Sequence, residues 1–319
     1  MLSFWRMNPY SIGVDLGGTN LRAAAIDIEG KVLERVAARV EQHAGRNAII
    51  NNIATAVHGI QSRIGMDGLQ GVGIGMPGFI DSETGVVLRA ANLPDLDGFC
   101  VRDALRQQLG THIILENDAN AAALGEKWIG AGRNVENLVL ITLGTGVGGG
   151  VIIDGKILHG FVGMAGELGH MTVIPDGNPC GCGNYGCLEK HASATAIAAM
   201  GRLLHLGDNN LTSADVFEMA RAGDRRAISV FESMGRALGI GIANLINIFN
   251  FPLYLLSGGP IPAWDLFAPI MFDEIRKRSF VFVSTDTRVE RATLGADAGL
   301  FGAAHLPVQY QDARAEAVR

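Results

Sequence analysis

Three of the chain's four cysteines fall in the single run CGCGNYGCLEKH, from Cys180 to His191. Cys180, Cys182 and Cys187 sit in one glycine-punctuated loop, with Cys100 far outside it. A bridge within C-x-C would be strained, and a redox pair would read C-x-x-C after a strand. Three soft thiolates with one imidazole make a common structural zinc set. Two histidines could complete it: His170, upstream of the loop, and His191, just downstream. Spacing alone favours His191. Four protein ligands leave no open position, so the ion would be structural and would not activate water. Joining the GELGH turn to the CLE turn would hold Glu167, His170 and Glu189 near one another. Two carboxylates and an imidazole edge suit a polyol, because charged acceptors bind hydroxyls strongly.

A second group of residues could grip phosphate. Asp15 ends an apolar run and is followed by Gly17, Gly18, Thr19 and Asn20, and a matching loop carries Thr145 and Gly146. Glycine lets backbone N–H groups turn inward, and such nests bind anions. A carboxylate beside phosphate needs a divalent cation between them, which is the situation of hydrated Mg²⁺. The third group is ENDAN, where an apolar run becomes an alanine-rich one. Asn117 or Asp118 would serve there as a helix N-cap. The end of a strand at a domain boundary is also where open α/β folds place their ligands.

The elements that must position these groups occur twice. SIGVDLGG is followed by TNLRAAAIDIEGKVL, and NLVLITLGTG by VGGGVIIDGKIL, each reading strand, glycine loop, strand, tight turn, strand. Internal repetition of this kind is the most informative organisational feature of the chain. It also removes a nucleotide fingerprint. Gly144, Gly146 and Gly149 match G-x-G-x-x-G, but that motif must open a helix, and a strand follows here. Helices are expected at 47–64, 101–109 and 264–278, with a buried strand at PLYLLSGG. The expected division is 1–117, 118–297 and a C-terminal helix, 298–319, packing back on the first domain.

DLGGTN, GTGVGGG, GELGH, CGCGNYGCLE and the late LSGG together resemble the ROK family of sugar kinases and repressors, from about Tyr10 to Leu306. The resemblance is greatest to the bacterial glucokinase branch. It implies the actin-like (ribonuclease H-like) duplicated two-domain ATPase fold, ATP and Mg²⁺, phosphoryl transfer to a hexose, most simply glucose, and a homodimer. It implies Asp118 as general base and sugar contacts from Asn92, Asn117, Asp118, Glu167, His170 and Glu189, with the Gly78 backbone close to the pocket. Asp15 and Gly17 to Asn20 would meet the distal phosphates, Thr145 and Gly146 would lie near them, and Gly258 and Gly259 would border adenosine. It selects His170 over His191 as the zinc ligand. Pro260, where many members carry a third glycine, departs from the pattern.

Composition narrows the alternatives. Forty-eight per cent of residues are hydrophobic and 18% charged, which is a well-packed globular balance, and the net charge of −6 argues against nucleic acid as a partner. The longest apolar stretch, GIGIANLINIFNFPLYLL, is broken by asparagines and a proline, so a buried helix and core strand are expected instead of a membrane span. A cytoplasmic enzyme is the expectation. A sugar-responsive regulator of the same family would need a DNA-binding module, and too few residues precede Asp15 to make one. N-acetylmannosamine, N-acetylglucosamine and fructose are the alternative sugars. An actin- or chaperone-like ATPase, using water as acceptor, is the remaining competitor.

Overall fold

The computed structural model describes residues 8–40 and 45–317, with side chains described to Tyr310. The chain forms two compact units. The first comprises the residues up to Glu136, Gly150–Ala165 and the chain from Ala296; the second comprises Asn137–Gly149 and Gly166–Gly295. The sequence reading divides at Asn117; in the structure the helix Asp118–Trp128 stays with the first unit, as does the final helix Ala298–Ala317.

The first unit is built on a five-stranded sheet ordered Val32–Arg39, Asn20–Asp27, Tyr10–Leu16, Leu69–Met76, Ile113–Asn117. The first three strands are antiparallel and the last three parallel. Period-two alternation sorts the two faces. Tyr10, Ile12, Val14 and Leu16 are fully buried in a core shared with Ile49, Ile53 and Ile60 of helix Arg46–Ile64 and Leu105 of helix Val101–Leu109. Gly13 and Gly73 occupy the other face. A Cβ at either would run into backbone of the final helix, at Leu300 and Ala303. These glycines are therefore a packing requirement: they let a helix lie directly on the sheet. A small sheet of Phe79–Asp81, Val86–Arg89 and Phe99–Cys100 follows the fourth strand.

The second sheet runs Lys156–Ile157, Val147–Ile153, Leu138–Leu143, Leu253–Gly258, Arg288–Arg291, and the division between the units falls within Val147–Ile153. Its last three strands are parallel. This is the order of the first sheet over again, so the repeat legible in sequence is a repeat of topology, and the duplicated α/β architecture is as expected. The turn chemistry agrees. Asp154 and Gly155 both take positive φ, 50° and 75°, as a two-residue hairpin of this twist requires. In the second unit Leu253–Leu256 are buried without a gap, as befits a strand flanked on both sides by parallel partners. Helix Arg225–Phe249 begins on the Asp224 side chain, which accepts from Arg226 N, and ends at Asn250 in the left-handed region. It packs against helix Trp264–Arg278. No helix among the described residues is long and apolar enough to cross a membrane.

Candidate functional site

In the first unit the chemistry gathers at the C-terminal ends of the parallel strands. Leu16 closes the first strand, and Gly17 N donates to the Asn20 carbonyl at 2.8 Å, making a tight loop that leaves Thr19 and Asn20 exposed. Val40 N donates to the Thr19 carbonyl, which stitches the loop to the neighbouring strand. Asp15 does not face an open space. Its Oδ2 accepts from the Arg22 guanidinium, which also reaches Asp297 and the Ala296 carbonyl. Sequence reasoning missed Arg22. The signal was present, because the hairpin register sets Asp15 opposite Arg22.

Strand Ile113–Asn117 passes directly into helix Asp118–Trp128. Asn117 is the N-cap: its Oδ1 accepts from Ala119 N at 2.9 Å and Asn120 N at 3.2 Å, while its Nδ2 donates to the Gly78 carbonyl at 3.1 Å. Both ends of its side chain thus brace the turn. Asp118, the first helical residue, is exposed, and its Oδ1 accepts from Ala119 N at 2.8 Å. Gly78 holds φ at 118° and lies against the backbone of Arg89 and Ala90. That contact brings the segment carrying exposed Asn92 toward the same turn. Two further residues that sequence reasoning passed over, Glu116 and His159, lie immediately behind it, Oε2 to Nε2 at 2.7 Å.

In the second unit the loop after Leu143 repeats the first, with Gly144 N donating to the Gly146 carbonyl at 2.9 Å. Helix Ala194–Leu203 braces it: Ala194 N donates to the Gly144 carbonyl and Thr195 Oγ1 to the Thr145 carbonyl. Gly258 pairs with Leu143 in the adjacent strand, and Gly259 N donates to the Leu143 carbonyl at 2.9 Å, so the late glycine pair borders this loop. Glu189 reaches it from the cysteine segment. Its Oε2 accepts from Val147 N at 3.3 Å, and a Cβ at Gly146 would collide with the same oxygen. Lys190 lies 3.4 Å from the other carboxylate oxygen.

The cysteine segment has little regular structure of its own. From Gly160 to Leu188 it contains one short 3-10 turn, Leu168–His170, and two isolated bridges. So long a stretch without regular elements needs another source of order. His170, Cys180, Cys182 and Cys187 supply one, each offering a ligand atom within 4.8 Å of the others. Cys182 and Cys187 sulfurs are 3.7 Å apart, and Cys180 Sγ is 3.6 Å from His170 Nδ1. Around a tetrahedral zinc ion, with bonds of about 2.3 Å to sulfur and about 2.0–2.1 Å to nitrogen, the edges come to roughly 3.8 Å and roughly 3.6 Å. The donor set and its spacing therefore fit zinc. Without a cation the arrangement is uncomfortable: burial and the two neighbouring sulfurs push the Cys187 thiol up to about 12. His191 lies outside the cluster, buried, with its Nε2 against Gly177 and without a hydrogen-bond partner. Burial lowers its pKa.

The other edge of His170 faces the candidate sugar groups, with Nε2 3.7 Å from Glu167 Oε2. Burial pushes the Glu167 carboxyl above the ordinary carboxylate range; the His170 charge opposes this and the Glu189 charge reinforces it. Glu167, His170 and Glu189 thus form one electrostatic group.

Comparison with known proteins adds four findings to this geometry. The model of the ROK family matches residues 11–309. A glucokinase of Halalkalibacterium halodurans is 39% identical over 316 residues, covering 94% of this chain and 96% of its own. A ROK family glucokinase from Streptomyces griseus, solved with glucose and AMPPNP, superposes with a TM-score of 0.74 at 36% identity, over 94% of this chain and 99% of its own. A xylose repressor of Caldicellulosiruptor bescii is 30% identical over 91% of this chain but 76% of its own length.

Proposed function

The chain belongs to the ROK family, and from that premise we propose that it is an ATP-dependent hexokinase whose preferred substrate is glucose. In this reaction the sugar hydroxyl oxygen attacks the γ-phosphorus of ATP and the bond from that phosphorus to the bridging oxygen breaks. The hydroxyl proton passes to Asp118, and ADP leaves with the bond's electron pair. Phosphoryl transfer asks the protein mainly for positioning and charge stabilisation. The division of labour follows the two loops. Gly17 to Asn20 with Asp15, and Thr145 with Gly146, serve the phosphates; Gly258 and Gly259 serve adenosine. Asn92, Glu167, His170, Glu189 and the Gly78 backbone serve the sugar.

The observation that carries the proposal is the position of Glu189. One carboxylate oxygen is bonded to the second glycine loop while the same side chain shares its field with Glu167 and His170. A hydroxyl-binding carboxylate attached to a phosphate-binding loop is what transfer between sugar and polyphosphate requires, and a water-using ATPase has no need of it.

Two metals belong to this reading. Asp15 would be the carboxylate for hydrated Mg²⁺, which would share it with the Arg22 guanidinium already paired to its Oδ2. Zn²⁺ would be held by His170, Cys180, Cys182 and Cys187, where it supplies order to the segment carrying Glu167 and Glu189. The resemblance extends the proposal to a cytoplasmic homodimer, which sedimentation of the purified protein tests.

A coupled assay over a panel of sugars, with ATP and Mg²⁺, tests the function. Glucose should give the highest kcat/KM, with N-acetylated hexoses and fructose at least about tenfold lower, the discrimination a few contacts supply. ATP turnover equal with and without sugar would overturn the kinase reading. Sugar binding without any turnover would move the chain to the regulator reading that the repressor match makes concrete. Gly146→Ala provides a finer check. The new methyl displaces the flexible Glu189 carboxylate without touching backbone, so thermal stability should hold while the KM for glucose rises by about tenfold, in line with roughly 1–3 kcal/mol for a lost charged hydrogen bond.

A further inference from the structure

Glu116 is 2% exposed and stands directly before the Asn117–Asp118 turn. Its Oε1 accepts from Asn117 N and from Asn120 Nδ2, both at 2.9 Å, and its Oε2 accepts from His159 Nε2 at 2.7 Å. The carboxylate thus holds the residue before Asp118 and a residue in the first turn after it. A carboxylate buried this deeply survives only when paired and fully bonded. His159 supplies the charge. Its pKa is raised, chiefly by the hydrogen bond to Glu116, against the effect of burial and with help from the charges of Glu116 and Glu83. Lys156, Gln309 and Tyr310 line the space on its open side.

We propose that Glu116 and His159 are positioning residues for the general base: the ion pair of buried Glu116 with half-buried His159 locks the strand-to-helix turn that aims the Asp118 carboxylate. This rests on the reading of Asp118 as base. Neither residue touches the reacting atoms. They act through the Asn117 N–H and the Asn120 amide, and displacement of a catalytic group by about 1 Å is enough to lower a rate by about 10²-fold.

The sign of the pH dependence follows from the raised pKa. The pair is fully formed below the ordinary imidazole value of 6.5 and is lost as pH rises through the raised value in the fold. The parent enzyme should therefore show an alkaline limb in kcat that belongs to His159.

Glu116→Gln, His159→Leu, His159→Gln and Asp118→Asn test the proposal together, by kcat, glucose Kd and the pH profile of kcat on the full chain. Glu116→Gln and His159→Leu should lose about 10- to 100-fold in kcat with glucose Kd within about threefold of the parent. His159→Gln keeps a donor for Glu116 but carries no charge, so it should show the lowered kcat of the deprotonated pair at every pH and lose the alkaline limb. If Asp118→Asn is inactive while His159→Leu and Glu116→Gln turn over like the parent, the positioning role is overturned and the base assignment stands. If Asp118→Asn turns over normally, the base assignment itself fails. Retention of the alkaline limb in His159→Gln likewise overturns the role given to His159.

Discussion

Asp118→Asn should lower kcat by about 10²–10⁴, the range general base catalysis contributes, while the glucose Kd measured by calorimetry stays within about threefold. The substitution is clean for structural reasons. The helix is capped by Asn117 and not by Asp118, so its first turn does not depend on the side chain being changed. The amide oxygen of Asn can also replace Asp118 Oδ1 as acceptor for Ala119 N. What disappears is the ability to take a proton. In a loose phosphoryl-transfer transition state that proton moves late, so a correctly placed carboxylate suffices. Parent-like turnover in a folded Asp118→Asn protein would remove the residue from this role. A loss confined to KM would make it a sugar contact instead.

How far the sequence led can be judged from particular residues. The apolar run SIGVDL ahead of a glycine pair is a local pattern, and it identified the strand, but not which neighbours cover its two faces. Helix Val101–Leu109 was legible in the sequence, with Gly110 at its C-terminal end, and Trp264–Arg278 was placed near its observed bounds. The second copy of the hairpin could be found by comparing the chain with itself. Pairings between distant segments were not legible. Glu116 and His159 lie 43 residues apart, with nothing in either stretch to join them. Spacing also misled. It favoured His191 for the metal cluster because four residues separate it from Cys187, yet the turn Glu189–Ala192 buries that ring against Gly177. His170 reaches the thiols because Leu188 N bonds to the Met171 carbonyl and draws the two turns together. Such a contact exists only once the segment is folded. The sequence also offered a break at Asn117, where a strand ends, whereas the compact units are set by the helix Asp118–Trp128 lying against the final helix.

Removing the metal should separate sugar binding from folding. Purified protein should carry about one zinc ion per chain by elemental analysis, as a closed Cys₃His set predicts. Cys187→Ser, or treatment with a strong chelator, should empty the site and raise the KM for glucose by about 10–100-fold, with nucleotide affinity changing little. The argument turns on where the metal's free energy is spent. In zinc-finger peptides a structural ion is the whole fold, worth about 10–16 kcal/mol. Here both sheets have buried strands outside the cysteine segment, Tyr10, Ile12 and Val14 in the first and Leu138–Ile141 with Leu253–Leu256 in the second. The ion would therefore order a local segment, and its loss should lower the melting temperature without unfolding the chain. Glu167, His170 and Glu189 depend on that segment for their mutual placement, while Gly258 and Gly259 sit on a strand end that does not. Cys100→Ser is the control and should leave metal content, stability and kinetics unchanged, because Cys100 belongs to the small sheet of the first unit. A protein that contains no zinc as purified, or that binds glucose equally well after the ion is stripped, would break the link between the thiol cluster and the sugar.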